Sequence, residues 1–196
     1  MDAAHVLIPM KAADGKSRLA DAIPGSRLGL ILLMLKSVVK AAREADVGPV
    51  TVVSASKMFA PDDVSWFDDS GLPWNEALAR AMATIVTEPV AAVLSGDVPT
   101  ATADEIRDLI AATPDRGMAI ARAYDGGTNA VSMRPPGTVM THFGEPQSAA
   151  VHAQTTAAAG LAARIIDLPG LAFDVDTPSD LERLNSVWPY EVLTLG

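Results

Sequence analysis

Five short stretches of the chain carry residue types that could do chemistry. In Pro9-Met-Lys-Ala-Ala-Asp-Gly-Lys-Ser-Arg18, the cations Lys11, Lys16 and Arg18 fall within eight residues, and Gly15 lets the backbone turn sharply. A triphosphate is held by such a composition: loop amides wrap it while mobile cationic side chains neutralise it. The loop lacks the upstream glycine of a Walker A motif, and on its own it reads more simply as a solvated basic loop. Leu94-Ser-Gly-Asp97-Val-Pro99 sets a carboxylate beside a glycine that allows close approach. That is a natural Mg²⁺ ligand, although an aspartate bonding its own turn is the commoner case. Phe173-Asp174-Val-Asp176-Thr-Pro178 offers two carboxylates separated by one residue. Alternate side chains of an extended chain point the same way, so both can face one ion, or Asp176 can support the helix start that follows.

The other two stretches carry no cation. Asp125-Gly-Gly-Thr128-Asn129 combines paired glycines, a hydroxyl and an amide, which suits an anion cradle and equally a hairpin turn. In Phe143-Gly-Glu-Pro-Gln-Ser148, Ser148 and the open amides of a following helix could bind phosphate. His152 lies one turn further on, but the chain offers neither a nucleophile elbow nor a third triad member, so a Ser–His nucleophile is disfavoured.

These stretches need elements to position them. Short apolar runs predict strands at His5 to Pro9, Val50 to Ser54, Ala91 to Ser95, Met118 to Arg122, Ala130 to Met133 and Ala163 to Asp167. Helical patterns cover Ser26 to Ala45, Trp74 to Val86, Thr102 to Ala112, Ala149 to Ala159 and Ser179 to Val187. Thr102-Ala-Asp-Glu105 is a capping box, and Thr177-Pro-Ser-Asp180 marks a second helix start. The acidic stretch from Met58 to Gly71 reads as an irregular, solvated excursion. Strand–helix alternation implies an α/β fold, Rossmann-like, with a mostly parallel sheet covered on both faces. In such sheets the ligand crevice lies beyond the carboxyl ends of the strands, where most of the chemical residues fall.

Composition narrows the function. The 196 residues fit one domain, 1–196, and 49% hydrophobic with 20% charged residues is globular. No Cys is present, which excludes disulfides and thiolate zinc sites and fits a cytoplasmic location. No apolar run approaches the ~18 residues that cross a bilayer, and no signal peptide is expected. A net charge of −9 disfavours nucleic acid as a partner. Small-molecule partners are expected, and a homo-oligomer is left open.

Taken in order, Ile8-Pro-Met-Lys11, Lys16-Ser-Arg-Leu19, Gly96-Asp-Val-Pro99, Gly127-Thr-Asn129, Phe143-Gly144 with Ser148 and His152, and Asp167-Leu-Pro-Gly170 through Pro178 resemble the 2-phospho-L-lactate guanylyltransferase family. The resemblance extends over nearly the whole chain. It implies a nucleotide-diphospho-sugar transferase-like fold and a role in biosynthesis of the deazaflavin coenzyme F-420. It further implies transfer from GTP to a small phosphorylated acid (2-phospholactate, phosphoenolpyruvate or 3-phosphoglycerate), with Mg²⁺ as cofactor and pyrophosphate released. On that basis Asp97, with Asp174 and Asp176, would hold Mg²⁺, and Lys16, with Lys11 and Arg18, would hold the triphosphate. Thr128, Gly144 and Ser148 would receive the acceptor acid, and Asn75 would stand near the base, with a helix cap as its alternative role. The chain has Gly96 where the family commonly has Ala, and its acceptor-side loops differ from the family's by one residue each. Two other readings remain: a molybdenum-cofactor type nucleotidyltransferase, and a non-catalytic nucleotide-binding module.

Overall fold

The aliphatic runs pair into one seven-stranded sheet in a computed structural model that describes residues 3–10, 19 and 27–187. In chain order the elements are β1 (His5–Pro9), α1 (Arg27–Ala45), β2 (Val50–Ser54), a 3-10 turn (Lys57–Phe59) and β3 (Ser65–Asp68). There follow α2 (Trp74–Ala83), β4 (Ala91–Leu94), α3 (Ala103–Ala111), β5 (Gly117–Arg122) and β6 (Thr128–Arg134). The last are α4 (Ser148–Ala158), β7 (Ala162–Ile166) and α5 (Pro178–Val187). The strand order is β3-β2-β1-β4-β6-β5-β7. Every pairing is parallel except the two made by β6, which runs against β4 and β5. The fold is thus α/β with a mostly parallel, mixed sheet, as the sequence predicts.

The two-residue period of a strand decides which side chains go to which face. Val6 and Ile8 of β1 join Leu94 of β4 in the core beneath α1, α3 and α5. Leu7 of the same strand joins Val93, Ile120 and Val131 beneath α2 and α4. All six strand residues flanking the centre, Leu7, Ile8, Val93, Leu94, Ile120 and Val131, are 1% exposed or less. Burying each such side chain contributes roughly 1.5–3 kcal/mol. Among the described residues no helix is long and apolar enough to cross a membrane.

One expectation is corrected. The stretch from Met58 to Gly71 is not irregular throughout: it contains β3, which pairs in parallel with β2 as an edge strand. Trp66 anchors it, its indole Nε1 donating to the Ser54 carbonyl and hydroxyl at 3.1 and 3.2 Å. Only two aromatics, Trp66 and Phe67, carry the strand, between carboxylates that close tight turns at Asp68 and Asp69. Four residues are too few for a period to show in the sequence.

The predicted capping box forms, and it does more than cap. Thr102 Oγ1 accepts from Glu105 N at 3.2 Å, and Glu105 Oε2 accepts from Thr102 N at 3.2 Å. The other carboxylate oxygen, Oε1, accepts from Gly170 N at 2.6 Å, while Thr100 Oγ1 donates to the Gly170 carbonyl at 2.8 Å. The Leu-Pro-Gly segment is thereby tied to the start of α3. A methyl on Gly170 would lie 2.2 Å from Glu105 Oε2 and 2.4 Å from Thr100 O, so only glycine fits this approach. Glu105→Ala removes both attachments and is expected to cost about 2–3 kcal/mol, against about 1 kcal/mol for Thr102→Ala. Equal losses for the two variants in urea denaturation would show that the Gly170 tether contributes nothing.

Candidate active site

Because β6 runs opposite to its neighbours, its first residues reach the carboxyl end of the sheet, where β1 and β4 also finish. Ser95 N donates to Asn129 O at 2.8 Å, joining the exit of β4 to the entry of β6. From there Ser95 Oγ donates to Asp97 Oδ1 at 2.7 Å, and Asn129 Nδ2 donates to Asp174 Oδ1 at 3.2 Å. Val175 N donates to the Asp97 carbonyl at 3.3 Å, which brings the two aspartate segments together. Phe173 and Val175 are buried, so the extended chain turns Asp174 and Asp176 the other way, toward the cavity. Arg183 of α5 sits 4.6 Å over the buried Phe173 ring. The helix start itself is closed by the Thr177–Asp180 pair: Asp180 Oδ2 accepts from Thr177 N at 2.8 Å, and Thr177 Oγ1 accepts from Asp180 N at 3.3 Å.

Asp97, Asp174 and Asp176 line a cavity of about 430 Å³ together with Asp125 and Glu145. Among the described residues no lysine or arginine lines it. Five carboxylates around one hollow disfavour an anionic ligand unless cations accompany it. Lys11, Lys16 and Arg18 lie outside the described residues. Among the described residues no three His, Asp or Glu side chains are gathered closely enough to hold an ion alone. The donor set still fits a hard divalent cation, because Mg²⁺ commonly takes one or two carboxylates and completes its shell with water and substrate phosphate. Gly96 has a steric reason: a methyl there would stand 2.8 Å from Met10 Sδ and 3.1 Å from Pro9 O, both at the cavity wall.

Thr128 and Ser148 also line the cavity, and their hydroxyls lie 3.0 Å apart. Thr128 is the first residue of β6 and Ser148 the first of α4, so both stand on regular elements rather than in loops. Gly144 lines the same wall with φ +79°. The α4 amides expected to receive phosphate are already occupied: Ala149 N donates to Gly126 O at 3.4 Å, and Ala150 N to Gln147 O at 2.9 Å. A Ser–His nucleophile pair is not formed, since Ser148 Oγ bonds Thr128 whereas His152 Nδ1 bonds the Ser148 carbonyl at 2.8 Å.

Asn75 does not line the cavity, and it does not cap α2, whose N-cap is Pro73. Its Oδ1 accepts from Phe143 N and Thr141 Oγ1, both at 2.9 Å, and its Nδ2 donates to Phe143 O at 3.1 Å. Asn75 therefore clamps the loop that carries Gly144, while its neighbour Trp74 lines the wall and stacks on Phe143 at 5.9 Å. Sequence reasoning missed Ser95 and Asn129 as the groups that hold Asp97 and Asp174. Each lies within one or two residues of a residue it singled out, Asp97 and Thr128, but nothing in the sequence says which carboxylate Asn129 reaches.

The guanylyl transferase CofC-like family model matches residues 4–185. The chain is 36% identical to the phosphoenolpyruvate guanylyltransferase of Sphaerobacter thermophilus, covering 89% of this chain and 88% of that protein. It is 34% identical to the 2-phospho-L-lactate guanylyltransferase of Methanoregula boonei, over 92% and 81% of the two chains. Its fold matches a Desulfovibrio desulfuricans crystal structure provisionally assigned as a nucleotide-diphospho-sugar transferase, with a TM-score of 0.79 at 16% identity, covering 100% of this chain and 94% of that one.

Burial pushes His152 down from the usual 6.5 to about 4. A histidine buried neutral stabilises the fold above its unfolded pKa, and that contribution is lost as pH falls from about 6.5 toward 4. The loss amounts to as much as about 3 kcal/mol. His5, also lowered by burial, acts in the same direction, so the test compares wild type with His152→Asn. The gap between denaturant midpoints at pH 7 and pH 4.5 should narrow in the variant, leaving the part that His5 contributes. An unchanged pH dependence would exclude His152 as a source.

Proposed function

This chain belongs to the guanylyl transferase CofC-like family, and on that premise we propose that it joins GTP to a small phosphorylated acid and releases pyrophosphate. The acid is of the phosphoenolpyruvate or 2-phospho-L-lactate type, on the likeness to relatives so named, and the product serves coenzyme F-420 biosynthesis. The observation that carries the reading is the convergence of Asp97, just past the end of β4, with Asp174 and Asp176 on one cavity at the carboxyl end of the sheet. The chain acts as one domain, and Lys11, Lys16 and Arg18, which follow β1 in the sequence, take the triphosphate.

In this reading the acceptor's phosphate oxygen attacks the α-phosphorus of GTP in line, the bond to the β-phosphate oxygen breaks, and pyrophosphate leaves. No protein nucleophile is needed. Asp97 and one or both of Asp174 and Asp176 would hold Mg²⁺, which would neutralise charge building on the transferring and leaving groups. Ser95 and Asn129 hold the carboxylates Asp97 and Asp174 in place before substrate arrives. Thr128, Ser148 and the Gly144 loop face the acceptor, and Asn75 keeps that loop in position.

Pyrophosphate release from GTP with each candidate acid tests the proposal. Asp97→Asn should lower turnover roughly 100-fold or more with the fold intact, because an amide is a poor Mg²⁺ ligand. Near wild-type turnover in that variant at ordinary Mg²⁺ removes Asp97 from the site. Asp174→Ala and Asp176→Ala should each raise the Mg²⁺ requirement, and no change in either would end the paired-carboxylate assignment. Ser95→Ala, which touches Asp97 alone among these, should shift the Mg²⁺ requirement about tenfold.

A further inference from the structure

One buried imidazole holds together the three elements that face the acceptor. His152 is 0% exposed and stands one turn into α4. The backbone N–H of His142 donates to its Nε2 at 2.8 Å. A backbone amide can only donate, so Nε2 carries a lone pair and no hydrogen. The neutral ring therefore carries its hydrogen on Nδ1, and burial keeps the ring neutral down to about pH 4. Nδ1 lies 2.8 Å from the Ser148 carbonyl oxygen and 3.1 Å from Thr128 Oγ1. With its hydrogen in place, Nδ1 can only donate to these two oxygens.

The hydroxyls of Ser148 and Thr128 share one hydrogen bond of 3.0 Å. That bond uses one of their two hydrogens, whichever residue donates. His152 has no lone pair left on this side to take the other. One hydroxyl hydrogen is thus left without an acceptor among the described residues, and both residues line the cavity. The opposite tautomer would reverse this: Ser148 would donate to Thr128, Thr128 to Nδ1, and the cavity would meet only lone pairs.

We propose that His152 is a positioning residue that turns the Ser148–Thr128 pair into a hydrogen-bond donor aimed at an anionic oxygen of the acceptor. This rests on the assignment of the acceptor to Thr128 and Ser148. The histidine touches no substrate. It acts through the tautomer that the His142 amide imposes, and it ties the Gly144 loop, the start of β6 and the start of α4 to one another. A phosphate or carboxylate oxygen satisfies the spare hydrogen, whereas a ligand presenting its own donor there would leave it unpaired.

The test reads KM for phosphoenolpyruvate and for GTP separately, together with the ring nitrogens of the wild-type protein. His152→Leu should raise KM for phosphoenolpyruvate about tenfold or more and leave that for GTP within about twofold. His152→Asn, whose Nδ2 stands close to the place of Nδ1, should recover much of the loss. His152→Gln, which mimics Nε2 instead, should recover little. A long-range ¹H–¹⁵N correlation spectrum of wild type should show His152 protonated at Nδ1, a readout that does not depend on any variant folding. Protonation at Nε2 overturns the inference, as does a Leu variant with unchanged acceptor KM or an Asn variant no better than Leu. Thr128→Val separates the layers. If it raises acceptor KM while His152→Leu does not, the role of His152 alone falls; if it too leaves acceptor KM unchanged, the acceptor assignment falls and takes this inference with it.

Discussion

The site depends on a single antiparallel insertion. Were β6 parallel like the other strands, Thr128 and Asn129 would emerge at the amino end of the sheet, on the opposite side from Asp97. Instead Leu94 faces Ala130 across the ladder, and the Ser95–Asn129 bond continues it to the last residue before the cavity. Two carboxylate holders, Ser95 and Asn129, are thereby set side by side on adjacent strands. The strap from Leu168 to Asp176 is tied to the start of α3 by the Glu105–Gly170 bond and to this edge by the Val175–Asp97 bond. The rigid sheet fixes one side of the cavity and the tethered strap fixes the other.

Charge explains what such a cavity can accept. A triphosphate and a phosphorylated acid are both strongly anionic, yet the charged side chains of the described wall are all carboxylates. Cations must come with the ligands or from the chain beyond β1, where Lys11, Lys16 and Arg18 stand in sequence. Acid walls and basic loop then have separate duties. In the proposed reaction the carboxylates would gather metal, the loop would neutralise the leaving pyrophosphate, and the hydroxyl pair at Thr128 and Ser148 would give the acceptor a neutral, oriented donor. A neutral donor on that wall would discriminate by geometry rather than by charge, as telling one small acid from another would require.

Much of this was legible in the sequence because period and punctuation agree locally. The apolar runs of β1, β2 and β4 are short and bounded, and the Thr102–Glu105 box announces α3 through local residue types alone. The pair Asp174 and Asp176 was legible through the two-residue period of extended chain, and the buried Phe173 and Val175 confirm it. Strand β3 was hidden because its two aromatics sit among aspartates that read as solvent. The role of Asn75 was hidden for a different reason: its three hydrogen bonds reach two residues 66 to 68 positions away, Thr141 and Phe143. The tautomer of His152 is likewise invisible in the sequence, since it is set by an amide ten residues earlier that only the fold brings to Nε2.

The most direct measurement is ³¹P nuclear magnetic resonance of the wild-type protein incubated with GTP, phosphoenolpyruvate and Mg²⁺. Transfer to the acid's phosphate joins two phosphorus atoms through one oxygen, so the account predicts two mutually coupled phosphoanhydride resonances growing in step with pyrophosphate. Their growth should stop when Mg²⁺ is chelated. GTP that stays intact with phosphoenolpyruvate, 2-phospholactate and 3-phosphoglycerate alike, or that yields only GDP and inorganic phosphate, would contradict the account.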